Sequence, residues 1–276
     1  MKYEIGINSN CGCGDTFEES LRNIKAAGFE NVMLSGKSGD LEKSIQFARK
    51  IGLKIPCAHI FTKGSEILNS LWATGEENKW AIEAAVNEIN ICGKYEVPMA
   101  VMHVTDGSSV ARALGPNMQG VASFQKILDA TKAGNVRLAI ENTDSLNEKH
   151  VGYLLDNIKS DWLGLCYDCG HNELYNEKTD YLKKYADKCI SVHLHDNLKD
   201  WKLGHDWTRD LHLLPFDGKI DFEKVMQNIA ASGYKDILIL ELHKDTVGEF
   251  TPYKDMTAEE YLKQAKTRGE KLAKMS

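Results

Sequence analysis

The chain has 276 residues, 42% of them hydrophobic and 27% charged, which suits one large α/β domain or two ordinary ones and excludes a disordered chain. A formal net charge of −6 leaves no global positive field for nucleic acid or anionic lipid. No apolar run approaches membrane-spanning length, and Met1-Lys2-Tyr3-Glu4 lacks the layout of a signal peptide, so a cytoplasmic protein without membrane partners is expected.

Short apolar runs alternate with amphipathic stretches from end to end. Tyr3–Asn8 reads as the first strand and Thr16–Ala27 as a helix closed by Gly28. Asn31–Leu34 and a helix from Asp40 to Ile51 follow, then the strand Leu53–Ile60 and the long helix Glu76–Tyr95. Pro98–Val104 is the fourth strand, with a helix over Asn117–Ala133. Val136–Glu141, Trp162–Tyr167, Cys189–His195 and Ile237–Leu242 complete eight strands. Their helices are Leu146–Ile158, Thr179–Ala186, Phe222–Ala231 and Ala258–Ala273. Near-continuous apolar strands fit a parallel sheet covered on both faces. Eight strand–helix units in this length predict a single (β/α)8 TIM barrel over residues 1–276 rather than an open doubly wound sheet. No glycine-rich nucleotide loop follows a strand.

Seven cysteines are present, an odd number. Cys166-x-x-Cys169 and Cys11-x-Cys13 have no second Cys/His pair at zinc-site spacing, so buried or incidental thiols in a reducing compartment are expected.

A barrel carries its chemistry where strands end and βα loops begin. His59 closes the third strand, His103 the fourth and Glu141 the fifth. Asp168 follows the sixth, His193 and His195 end the seventh, and Glu241 ends the eighth. A carboxylate after a run such as Leu138-Ala-Ile140 is not explained by packing, because burying a lone charge is costly. Three carboxylates and an imidazole on one rim would conflict unless a cation neutralised them. Mixed oxygen and nitrogen donors suit Mn2+, Zn2+, Co2+ or Mg2+ better than a thiolate-bound metal.

At Ile140-Glu-Asn142, Cys166-Tyr-Asp-Cys-Gly-His171, Val192-His-Leu-His-Asp-Asn197, the stretch from Asp210 to Asp221, and Leu240-Glu241, the sequence resembles the xylose isomerase-like TIM barrel superfamily. That superfamily includes sugar-phosphate isomerases and epimerases and also endonuclease IV. The resemblance implies that Glu141, Asp168, His193 and Glu241 bind one divalent metal ion, Mn2+ or Zn2+ ahead of Co2+ or Mg2+. It also implies a small-molecule sugar or sugar phosphate as substrate. Glu141 and Glu241 would then be catalytic, moving a proton through a metal-stabilised enediolate. His171 and His195 would contact substrate hydroxyls, with His59, His103 and Trp72 shaping the pocket. Lys199, Lys202 and Arg209 are candidates for holding an anionic group, and pairing of barrels through outer helices and loops would make a homo-oligomer.

An alternative stays open. By residue type, His59, His103, Glu141, Asp168, His171, His193, Asp210, His212 and Glu241 match the three-zinc set of endonuclease IV, which would make Asp210 and His212 additional ligands. Local sequence leans toward the sugar branch. His59-Ile-Phe with Leu68-Asn-Ser-Leu-Trp72, and Leu213-Leu-Pro-Phe-Asp-Gly218, look like uncharacterised sugar isomerase-like proteins, while His103-Val-Thr lacks the His-Pro-Gly of the nuclease. A barrel that binds sugar without turning it over is a third reading, opposed by the intact carboxylate pair.

Overall fold

Eight short strands close on themselves in chain order, all parallel: β1 (Ile5–Asn8), β2 (Asn31–Ser35), β3 (Lys54–His59), β4 (Met99–Met102), β5 (Arg137–Glu141), β6 (Leu163–Asp168), β7 (Cys189–Leu194) and β8 (Leu238–Leu240). Closure is made by β8 returning to β1 with Ile5 opposite Leu238 and Ile7 opposite Leu240. The computed structural model describes residues 3–35, 39–60, 65–106, 114–143, 145–175, 180–198, 210–245 and 252–275.

Around the barrel run α1 (Phe17–Ala26), α2 (Leu41–Lys50), α3 (Glu76–Lys94), α4 (Met118–Gly134), α5 (Ser145–Asn157), α6 (Cys169–Tyr175), α7 (Tyr181–Lys184), α8 (Phe222–Ala231) and α9 (Ala258–Leu272). Their starts are chemical. Thr16, Asp40, Asn117, Asp180, Asp221 and Thr257 each accept a hydrogen bond from the backbone N–H three residues on, satisfying a donor the helix leaves over. No helix among the described residues is long and apolar enough to cross a membrane.

The apolar residues fall into two layers. One fills the barrel interior with Met33, Cys57, Met99, Val101, Ala139, Cys166, Ile190 and Ile239. The other, far larger, lies between strands and helices. Registers at the carboxyl ends then set the site: Glu141 lies opposite Cys166, Asp168 opposite His193, and His193 opposite Ile239. Strand β4 stops at Met102, so His103 and Val104 belong to the following loop rather than to the strand. The expected helix over Thr179–Ala186 narrows to Tyr181–Lys184, because Tyr185 leaves helical geometry (φ −122°, ψ 35°) before a 3-10 turn at Ala186–Lys188.

Candidate active site

The rim residues meet at a fully buried carboxylate. Glu141 Oε2 lies 2.9 Å from His59 Nε2 and 3.2 Å from His103 Nε2, while its Oε1 lies 3.1 Å from His193 Nδ1. Glu241, one residue beyond β8, reaches the same His193 Nδ1 at 3.0 Å, and Asp168 stands 3.9 Å from it. A second focus is Asp210, whose Oδ2 is 2.8 Å from His171 Nε2 and 3.1 Å from His212 Nε2. Both of those imidazoles donate Nδ1–H to a backbone carbonyl, His171 to Asn142 at 3.0 Å and His212 to Glu241 at 2.8 Å. His195 Nε2 sits 2.9 Å from Asp168 Oδ1 and links the two foci.

These contacts pull ionisation in a consistent direction. Burial pushes the Glu141 carboxyl up, but the facing His193 and His103 outweigh it and hold it well below the usual range. Glu241 behaves alike, burial being overcome chiefly by His193. Burial opposes charge on His193, yet Cys166, Glu141 and Glu241 carry it well above its ordinary value. Asp210 is likewise lowered against burial by His212 and His171, and His212 is raised to about 9 by Asp210. The facing imidazoles thus favour the charged form of Glu141, Glu241 and Asp210.

Among the described residues, donor atoms within 4.8 Å of one another form four groups: three that share Glu141, namely Glu141–Asp168–His193–Glu241, His59–His103–Glu141 and Glu141–Cys166–His193, and a separate one, His171–His195–Asp210–His212. Buried histidine and carboxylate groups of this kind are able to hold a metal ion. His193 adds an orphan, its buried Nε2 having no hydrogen-bond partner among the described residues.

The scaffold behind these groups is specific. Asn142 Oδ1 accepts from the Asp168 N–H at 2.9 Å and its Nδ2 donates to the Asp168 carbonyl at 3.0 Å. Asn8 does the same for Leu242, at 2.9 and 3.1 Å, next to Glu241. The buried Asp196 carboxylate gathers the loop that carries Asp210 and His212, accepting backbone N–H bonds from Asn197, Phe216, Gly218 and Ile220 at 2.8–3.0 Å. His212 is held there in the left-handed region (φ 46°), a conformation that costs about 1–3 kcal/mol for a residue with a side chain.

His59, His103, Glu141, Asp168, His171, His193, His195, Asp210, His212 and Glu241 are therefore joined in one connected set of contacts. Trp72 stands apart: its ring is buried against Phe124 and His150, and Nε1 donates to the Val104 carbonyl at 2.7 Å. Lys199, Lys202 and Arg209 lie outside the described residues. Sequence reasoning missed His243, which stacks 4.6 Å from His212, as His212 stacks 3.8 Å from His195. It also missed Asn8, whose role depends on β1 lying beside β8. At the opposite pole a cavity of about 830 Å3, lined by Tyr3, Phe29, Asn31, Lys54 and Lys235 among others, carries none of these groups.

Residues 10–267 match the family model described as xylose isomerase-like TIM barrel. The chain belongs to this family. Among curated proteins it is similar to the Uncharacterized protein y4fM of Sinorhizobium fredii, 26% identical over 267 residues that cover 83% of each chain. Among solved structures it is similar to a D-tagatose 3-epimerase-like protein, with TM-score 0.71, 17% identity and coverage of 99% of this chain and 96% of that one. It is also similar to D-psicose 3-epimerase of Clostridium cellulolyticum, determined with D-tagatose, with TM-score 0.73, 10% identity and coverage of 98% and 99%. At these identities the two structures establish the shared barrel. Family membership agrees with the closed eight-stranded barrel and with the rim on which the ionisable residues collect.

Proposed function

We propose that the protein is a divalent-cation-dependent isomerase or epimerase of a small sugar or sugar phosphate. The observation that carries this reading is the meeting of Glu141 and Glu241, from β5 and the end of β8, at Nδ1 of His193, 3.1 and 3.0 Å away. Three carboxylates around one buried imidazole leave an excess of negative charge that a dication with oxygen and nitrogen ligands would neutralise. Glu141, Asp168, His193 and Glu241 would hold it, with Mn2+ or Zn2+ ahead of Co2+ and Mg2+. When bound, the cation supplies Lewis-acid stabilisation of negative charge developing on neighbouring sugar oxygens.

The remaining chemistry belongs to the chain. The Glu241 side chain is 14% exposed and that of Glu141 not at all, so Glu241 is the carboxylate open to substrate and removes the proton from carbon. Glu141, anchored by His59 and His103, returns a proton. His171 and His195 contact substrate hydroxyls and His103, at 36% exposure, borders the entrance. The ketose 3-epimerases named among the structural neighbours support a ketose as substrate class. Seven unpaired cysteines support the cytoplasm as location, and the net charge of −6 weighs against nucleic acid. The test is solvent deuterium uptake by a panel of ketoses with the Mn2+-loaded chain. Uptake at the carbon beside the carbonyl is expected, falling about 10²–10⁴-fold in Glu241→Gln with sugar binding largely kept. Undiminished exchange in a folded Glu241→Gln chain would remove Glu241 from this role.

A second reading rests on the two further groups, His59–His103–Glu141 and His171–His195–Asp210–His212. With all of them occupied the site becomes a multi-zinc phosphodiesterase of the endonuclease IV type, acting at abasic DNA. Elemental mass spectrometry of chain purified without added metal separates the two. About one ion per chain supports the sugar reading, whereas two or three zinc ions would make an abasic-duplex nicking assay the next experiment.

A further inference from the structure

One layer below the carboxylate-rich group, the barrel interior carries a thiol. Cys166 precedes Asp168 by two residues on β6, so the two-residue alternation of a strand turns both side chains to the same inner face. Its backbone is in register with Glu141 of β5 and with Ser191 of β7, two residues before His193. The side chain is fully buried among Met33, Cys57, Val101 and Ile239. A donor atom from each of Glu141, Cys166 and His193 lies within 4.8 Å of the others. His193 and the Cys166 thiol influence each other's ionisation directly, and the imidazole also bears a buried Nε2 that makes no geometrically sound hydrogen bond among the described residues. Native proteins rarely leave a buried polar atom so, and coordination of an ion is one way to satisfy it.

We propose that Glu141, Cys166 and His193 form a separate binding position for a thiophilic divalent cation of the Zn2+ or Cd2+ class. Binding forms a metal–sulfur bond, breaks the S–H bond and releases the thiol proton to solvent, with no transfer of electrons. One thiolate, one imidazole and one carboxylate make the three-residue protein set that zinc accepts alongside a further ligand. Softness sorts the ions: Mn2+ and Mg2+ favour the oxygen-rich group above, and Zn2+ and Cd2+ are drawn to sulfur. Because Glu141 and His193 belong to both groups, the two positions are adjacent, and repulsion between two dications sets them in competition. An ion at the lower one weakens cation binding between Asp168 and Glu241, so thiophilic ions inhibit any reaction that needs the upper one. The inference rests on Glu141 and His193 being cation ligands and not on the identity of the substrate.

The experiment uses the full chain stripped of metal and titrated with Cd2+ alone. A sulfur-to-cadmium charge-transfer band is expected to grow to saturation at about one equivalent, and X-ray absorption should place one sulfur on the bound ion. Cys166→Ser should lose the sulfur signal, Cys57→Ser should keep it, and Cys166→Ser should still bind Mn2+ by electron paramagnetic resonance. Cadmium bound by the native chain through nitrogen and oxygen only would overturn the proposal, and so would a sulfur signal that survives Cys166→Ser. Should Cys166→Ser not fold, the sulfur count on the native chain together with the Cys166→Ala variant decides. A cadmium–sulfur signal from a native chain that binds no Mn2+ would count against the upper group while leaving the lower position standing.

Discussion

At the scale of single residues, two carboxamides stand in for peptide groups. Asn142 pairs with both backbone groups of Asp168, and Asn8 pairs with both of Leu242, the neighbour of Glu241. Each bond pair continues parallel strand pairing one step beyond the strand, at the point where a carboxylate must be aimed. Replacing Asn142 by Ala leaves the buried N–H and carbonyl of Asp168 without partners, at about 1–3 kcal/mol each. Cation affinity should fall about 10–100-fold, as it does on loss of a group that orients a ligand. A Mn2+ titration followed by electron paramagnetic resonance measures it, and a folded Asn142→Ala chain with native affinity would show that Asp168 is aimed by other contacts. Asn142 is visible in sequence as part of Ile140-Glu-Asn142, but its partner lies 26 residues away and follows only from the β5–β6 register.

At the scale of elements, legibility in the sequence depends on length and on distance along the chain. The eight strands and most of the helices announce themselves by periodicity and capping residues, and strand ends mark Glu141, Asp168, His193 and Glu241 for attention. α6 carries no such signal. Seven residues are too few to display a helical period, and its start depends on the Asp168 carboxylate accepting the His171 N–H at 2.7 Å. The local motif around Trp72 suggests a pocket residue, whereas its burial depends on α4, where a Cβ at Gly120 would fall 2.1 Å from the indole. α6 has a similar dependence at Gly170, where a Cβ would lie 2.0 Å from His195 Cε1. Gly170→Ala must therefore displace His195 from Asp168 or lift the helix from β7. A loss of about 1–3 kcal/mol in urea unfolding is expected, as for other overpacked sites. An unchanged urea midpoint would mean that α6 shifts without cost and does not brace His195.

For the molecule as a whole, the site is a store of opposed charge whose balance depends on pH and on the cation. In the metal-free chain Glu141, Glu241 and Asp210 are lowered well below their ordinary values of 4.5, 4.5 and 3.8. Their contribution to stability is present above those values and is lost on acidification. His171 and His193 are raised well above 6.5 and His212 is raised to about 9. Their contribution is complete below 6.5 and is lost as pH rises, for His212 through about 9. The metal-free fold should therefore be most stable between about pH 4.5 and 6.5 with respect to these groups. A cation displaces those protons, so its affinity rises across the window in which the imidazoles lose theirs. At a free concentration of 100 times Kd it adds about 2.7 kcal/mol to the stability of the folded chain. The difference in Tm between Mn2+-saturated and chelator-treated protein is thus expected to widen from pH 6 to pH 9, because one curve is held up by the metal while the other declines. Scanning calorimetry at fixed ionic strength provides the measurement. A difference that stays constant over that range would mean that cation binding and imidazole protonation are not in competition, and that the ion, if bound, sits away from His171, His193 and His212.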